Sequence, residues 1–214
     1  MATMQYAGEY HIEVCEIYAA SGAVLDLKDQ FASVNIYEDI FKNALTGDIS
    51  IVDTNNLLTN LPIIGQEKLK LRIVTPNEDD DNSRTMAIDF TDTPLYIYKV
   101  SSKVSINDNT NAYTLSFTTP EAVRSNRIRV KQAFNGEPSV DIVKKIFRDE
   151  DLLNSKKEFY YEETANNFKF VSPSMRPFDF INSVARRCLS RENNYAPTFL
   201  FYETVRGYFF RAID

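Results

Sequence analysis

His11 is the only imidazole in the 214-residue chain, and it lies in the alternating stretch HIEVC. Acyl transfer would need a nucleophile on a strained turn beside it, and no G-x-S-x-G motif is present. One His and two Cys cannot supply a four-ligand Cys/His zinc site. The acidic run Glu78, Asp79, Asp80, Asp81 lacks the spaced ligands and central glycine of a calcium loop, so it reads as a solvated turn. Glu162 and Glu163 are adjacent in an extended stretch, where neighbours point to opposite faces, so they do not form a glycosidase pair. Six glycines, with no G-x-x-x-x-G-K and no G-x-G-x-x-G, leave no phosphate cradle. Arg124, Arg127, Arg129 and Lys131 form the main basic cluster. On a chain of net charge -6 that cluster reads as a solvated face or a protein contact rather than a nucleic-acid grip. No catalytic residue, cofactor-binding residue or metal ligand is therefore assigned, and neither enzymatic activity nor a cofactor is expected.

The elements behind these residues are mostly strands. Tyr10, Ile12 and Val14 alternate with His11, Glu13 and Cys15. Val34 and Ile36 share a face, Gly47 reads as a turn, and Ile49 and Ile51 follow it. The segment EKLKLRIV sets Leu69, Leu71 and Ile73 against Lys68, Lys70 and Arg72. Met86, Ile88 and Phe90 mark another strand. A long strand from Leu95 to Ile106 gives one parity to Tyr96, Tyr98, Val100, Val104 and Ile106, and Tyr113, Leu115 and Phe117 line its successor. Short strands at this spacing predict an antiparallel sandwich or barrel. The connection TNNLLTNLPIIG is unusually apolar. Leu57, Leu58, Leu61, Ile63 and Ile64 serve there either as a barrel plug or as a subunit contact.

After residue 119 the pattern turns mixed. The segment 120–134 is either a short helix plus a strand or one irregular helix. Asn135-Gly136 reads as a turn. The segment from Ser139 predicts a helix with Ser139 as N-cap and Val140, Val143, Ile146 and Phe147 as its stripe. Two strands follow, with a turn at 165–167. A second helix carries Pro177 in its first turn, Phe178, Ile181, Val184, Ala185, Cys188 and Leu189 on one face, and Arg186 and Arg187 toward its end. A hairpin turning at 205–207 closes the chain. Cys15 and Cys188 read as buried free thiols. No secretory signal and no apolar run of bilayer length is seen, so a soluble product made in a cytosol is expected.

This order of elements resembles the central baseplate hub protein of contractile-tailed, T-even-like bacteriophages, a relative of the hub part of type VI secretion spike proteins. The resemblance rests on IYEDIFKNALTGDISIVDTNNLLTNLPIIGQEKLKLRIVTP, IYKVSSKVSINDNTNAYTLSFTT, PEAVRSNRIRVKQAFNGEPSVDIVKKIFRDE and RPFDFINSVARRCLSRENNYAPTFLFYETVRGYFFRAID. It implies a β-rich α+β fold: a tail-tube-type antiparallel β-barrel over 1–135, then a mixed α+β domain over 136–214. It implies a structural virion protein, assembled in the host cytoplasm, that connects the tail tube to the central spike and forms part of the DNA channel. Its implied partners are itself, as a homotrimer, the tail tube protein, the central spike protein and the baseplate wedge proteins, with DNA passing through the channel without specific binding. The alternative is a tube or wedge component sharing the barrel. Subunit contacts are expected at Leu57, Leu58, Leu61, Ile63, Ile64, Arg124 and Arg127. The second tube barrel of that family has no room in 214 residues, so the chain reads either as an N-terminal piece of the hub or as only a cousin of it.

Overall fold

The computed structural model describes residues 10–54, 65–75, 87–107, 110–193 and 195–213. They form two compact units: Met1–Ile36 with Thr46–Pro120, and Tyr37–Leu45 with Glu121–Asp214. No helix among the described residues is long and apolar enough to cross a membrane.

The first unit is one antiparallel sheet. Its strands are β1 (His11–Tyr18), β2 (Val24–Asp26), β3 (Phe31–Tyr37), β4 (Thr46–Asp53), β5 (Lys68–Val74), β6 (Ala87–Asp89), β7 (Leu95–Asn107) and β8 (Thr110–Thr118). Their order is β2-β1-β5-β7-β8-β4-β3, with β6 on β5. Barrel closure would require β2 to meet β3, and no such pairing occurs among the described residues. Ile17, Ile49, Ile51, Leu69, Leu71, Leu95, Leu115 and Phe117 fill its interior. The alternation in β4 and the first half of β5 follows the sequence pattern closely.

Two expectations fail here, each for its own physical reason. In β1 the buried residues are Ile12, Cys15 and Ile17, so the stripe changes parity along the strand. Pairing with β5 slips between Ile12 and Val14, and an extra residue on one strand reverses every later side chain. Gly47 is not in a turn but inside β4. A Cβ there would collide with the Phe117 ring and the Asn35 carbonyl, so glycine permits close approach of three strands.

The second unit contains α1 (Pro120–Arg127, whose first residue closes the first unit), β9 (Ala133–Pro138), α2 (Ser139–Arg148), β10 (Phe159–Tyr161), β11 (Asn167–Val171), α3 (Pro177–Ala185), β12 (Phe199–Thr204) and β13 (Gly207–Ala212). β10-β13-β12 form one sheet, and β11 pairs β9. Its core is aromatic. Phe147 sits 4.8 Å from Phe159 and 5.0 Å edge-on from Tyr208, while Phe134, Phe170 and Phe180 are mutually 5.5 Å apart. Such contacts add to simple area burial.

The expected turn at Asn135-Gly136 is a bulge within β9. Gly136 has φ +85, and the ladder to β11 slips beside it. Ser139 does not cap α2: its hydroxyl donates to the Asn166 carbonyl. The Thr164 hydroxyl, from a distant loop, accepts the Val140 N–H at 3.1 Å instead. α3 starts at Pro177 as expected but stops at Ala185, which leaves Arg186, Arg187, Cys188 and Leu189 beyond its end. Of the two readings for 120–134, the short helix followed by a strand is the one found. Both thiols are free and buried. Burial pushes each up to about 12.

Candidate functional site: an exposed stretch of strand and a buried charge cluster

In the first unit, β7 and β8 pair along their length, and β8 pairs on its other edge with β4 from Asn111 to Thr118. β5 pairs with β7 only at Lys68↔Tyr96 and Leu69↔Leu95. Over residues 98–106 the other backbone edge of β7 has no strand partner among the described residues. The expected common face for Tyr96, Tyr98, Val100, Val104 and Ile106 is not found. The β7–β8 register slips between Ile97 and Lys99, between Ser101 and Val104, and between Ser105 and Asn107. Val100 pairs with Leu115, whereas Val104 pairs with Ala112, which has the opposite parity on β8. Directly opposed residues share a face, so the apolar residues of β7 are divided between the two faces of the sheet. Tyr98, Val104 and Ile106 are 55%, 59% and 57% exposed. Ser102, at the second slip, holds φ 53, a left-handed conformation uncommon for a residue with a Cβ.

The second unit holds a buried ion cluster. Lys157 Nζ donates to Glu203 Oε1 at 2.6 Å and to Glu121 Oε2 at 2.9 Å. Glu203 Oε2 accepts the Leu45 N–H at 2.9 Å and the Tyr208 hydroxyl at 3.0 Å. Glu121 Oε1 accepts the Ser155 hydroxyl at 2.6 Å. The three charged side chains are 10%, 1% and 5% exposed for Lys157, Glu203 and Glu121. Burial alone would lower the Lys157 pKa, but the Glu203 and Glu121 charges outweigh it and hold the ammonium above its ordinary 10.5. For Glu203 burial dominates and pushes the carboxyl up; Lys157 pulls it back and Glu121 pushes it further. The cluster joins α1, the connection before β10, β12, β13 and the Tyr37–Leu45 strap: Glu121, Ser155 with Lys157, Glu203, Tyr208 and Leu45 come from them in turn.

The strap is also pinned by side-chain amides. Asn43 and Asn182 exchange hydrogen bonds at 2.9 and 2.8 Å, and Asn43 Nδ2 donates to the Phe201 carbonyl at 2.7 Å. Glu38 Oε1 accepts the Val205 N–H at 2.6 Å. This leaves Phe41 at the strap's tip 75% exposed.

Of the expected contact residues, Leu57, Leu58, Leu61, Ile63 and Ile64 lie outside the described residues, as does the run 78–81. Arg124 is partly buried in α1 and donates to the carbonyls of Leu152 and Glu150. Arg127 is exposed at the helix end. His11 is exposed on β1. Among the described residues no three His, Cys, Asp or Glu side chains are grouped to hold a metal ion. The sequence reading missed the charge cluster, although one signal was present. Glu203 shares the parity of Phe199 and Phe201 in β12, and a charge on the inward face of an alternating strand requires a buried partner.

No family model matches the chain, and no curated protein matches it in sequence. Solved structures do match its fold. The 43 kDa tail protein of prophage MuSo2 from Shewanella oneidensis aligns at TM-score 0.57 and 9% identity, over 94% of this chain and 53% of that one. The tail protein from Neisseria meningitidis MC58 aligns at TM-score 0.53 and 11% identity, over 94% of this chain and 50% of that one. The chain thus has the fold of phage tail proteins and spans about half the length of these two.

Proposed function

We propose that the chain is a structural, non-catalytic phage tail component, acting at the baseplate as the hub that joins the tail tube to the central spike. The observation that carries this reading is the fold shared with two phage tail proteins over 94% of the chain. In this reading the first unit is a tube-type barrel domain, and three copies assemble as a homotrimer around the DNA channel. The tail tube protein, the central spike protein and the wedge proteins are its neighbours, and the virion is its location. A net charge of -6 suits a channel wall, since a basic wall would retain phosphates. The apolar connection with Leu57, Leu58, Leu61, Ile63 and Ile64, and the exposed Arg127, are offered as further subunit contacts. Native mass spectrometry combined with negative-stain imaging of the full chain tests the reading. A threefold particle is expected. A sixfold ring would favour a tube component, and a monomer at every concentration would refute the hub.

A further inference from the structure

We propose that Phe41, at the tip of the Tyr37–Leu45 strap, inserts into a cavity on the first unit of a second copy of this chain. The inference rests on the hub reading, which requires copies of the chain to meet, and names the contact between them. The inserting side is a presented aromatic. Tyr37, Ile40 and Phe41 are all exposed, Phe41 the most. Single exposed apolar residues need no explanation, but a group of them on an ordered turn marks an interaction surface. Asp39 Oδ1 accepts the Phe41 N–H at 2.9 Å, and the Asp39 carbonyl accepts the Lys42 N–H at 2.9 Å. Asn43 and Glu38 tie the two sides of this turn to the second unit. Phe41 is thus held in place before it meets a partner, which lowers the entropic cost of binding. An aromatic side chain seated in a pocket is a common anchor of protein interfaces.

The receiving side lies on the same chain. A cavity of about 390 Å³ opens between the end of β1, the start of β5 and the turn before β7, and it is lined by Tyr18, Ala19, Ala20, Lys68, Lys70 and Pro94. The tyrosine ring, the two alanines and the proline give it apolar walls with room for one aromatic side chain. Lys70 Nζ lies 4.6 Å from the Tyr18 ring centre and Lys68 Nζ 5.8 Å from that of Tyr96, so both ammonium groups are held over rings. Among the described residues neither lysine is in an ion pair, and no carboxylate lines the cavity. The strap brings the opposite charge, with Glu38 and Asp39 beside Phe41 against Lys42 alone. An apolar knob flanked by carboxylates therefore faces an apolar hole flanked by ammonium groups, and this match selects a second copy as the occupant. Duplex DNA would also meet the lysines, but the strap's carboxylates would repel it and Phe41 would stay uncovered. Because knob and hole are different patches, the contact is heterologous.

The test uses the full chain as wild type, F41S, A20W and K68E/K70E. None of these side chains is buried, and circular dichroism checks that each variant folds. Association is read by light scattering across concentration and by native mass spectrometry. The wild type is expected to assemble, F41S and A20W each to associate about thirtyfold more weakly or worse, and K68E/K70E about tenfold more weakly. The decisive sample is a mixture of F41S and A20W at a concentration where neither associates alone. The Phe41 ring of A20W and the open cavity of F41S make one intact contact, so one-to-one pairs of unlike copies are expected. Normal assembly of folded F41S or A20W, or a mixture in which no unlike pairs form, overturns the inference and leaves the hub reading standing. A wild type that stays monomeric overturns both.

Discussion

Replacing Lys157 by methionine removes the cation held between the buried carboxylates of Glu121 and Glu203. The ammonium is 2.6 Å from Glu203 and 2.9 Å from Glu121, and both carboxylate side chains are at most 5% exposed. Water cannot take over the lost interaction without opening the core. Removing one partner of a buried pair typically costs about 3–5 kcal/mol, chiefly from the charge left uncompensated. For a unit of this size, that corresponds to a fall of roughly 10 °C or more in its melting temperature. Glu121→Gln is the informative contrast. It removes the surplus negative charge, keeps an oxygen for the Ser155 hydroxyl, and leaves Lys157 paired with Glu203. Its cost should stay below about 1.5 kcal/mol. The pH dependence follows from the same geometry. The folded-state pKa of Lys157 lies above its ordinary 10.5, so its contribution is complete below that pH and is lost as pH rises through the folded value. Urea denaturation followed at Phe and Tyr signals, at neutral and alkaline pH, measures all three quantities. A Lys157→Met variant within about 1 kcal/mol of wild type, or a Glu121→Gln variant equally damaging, would refute this reasoning.

Gly47→Ala should destabilise the first unit by about 1–3 kcal/mol or more, since the Phe117 ring and the Asn35 carbonyl leave no room for a methyl; a thermal melt by circular dichroism checks this. Thr164→Ala should cost about 1 kcal/mol by leaving the Val140 N–H without its acceptor, read from the shift in denaturation midpoint. Cys15 and Cys188, both buried with pKa pushed up to about 12, should resist a thiol reagent at pH 8 in the native chain and react fully in denaturant; mass counting of modified thiols decides it.

Much of the secondary structure was legible in the sequence where the pattern was purely local. The inward residues of β4, Leu69 and Leu71 of β5, the stripe of α2, Pro177 at the start of α3 and the final hairpin follow from periodicity or one local turn. The misreadings concentrate at bulges. Period-two reasoning assumes an unbroken ladder, and a single extra residue in β1 or β7 exchanges the faces beyond it. Gly136 looked like a turn because a bulge and a turn need the same left-handed glycine. The charge cluster was hidden for another reason. Its partners are 36 and 46 residues apart, and no local spacing encodes a contact at that distance. The N-cap of α2 likewise comes from Thr164, 24 residues downstream. β7 was visible as an apolar strand, but the exposure of Tyr98, Val104 and Ile106 shows only in the structure.

The most direct test of the hub role is the symmetry of the particle the full chain forms, read as mass by native mass spectrometry and as shape by averaged negative-stain images. The hub assignment predicts a closed ring of three copies with a central opening. A sixfold ring, or a single copy at every concentration, contradicts it.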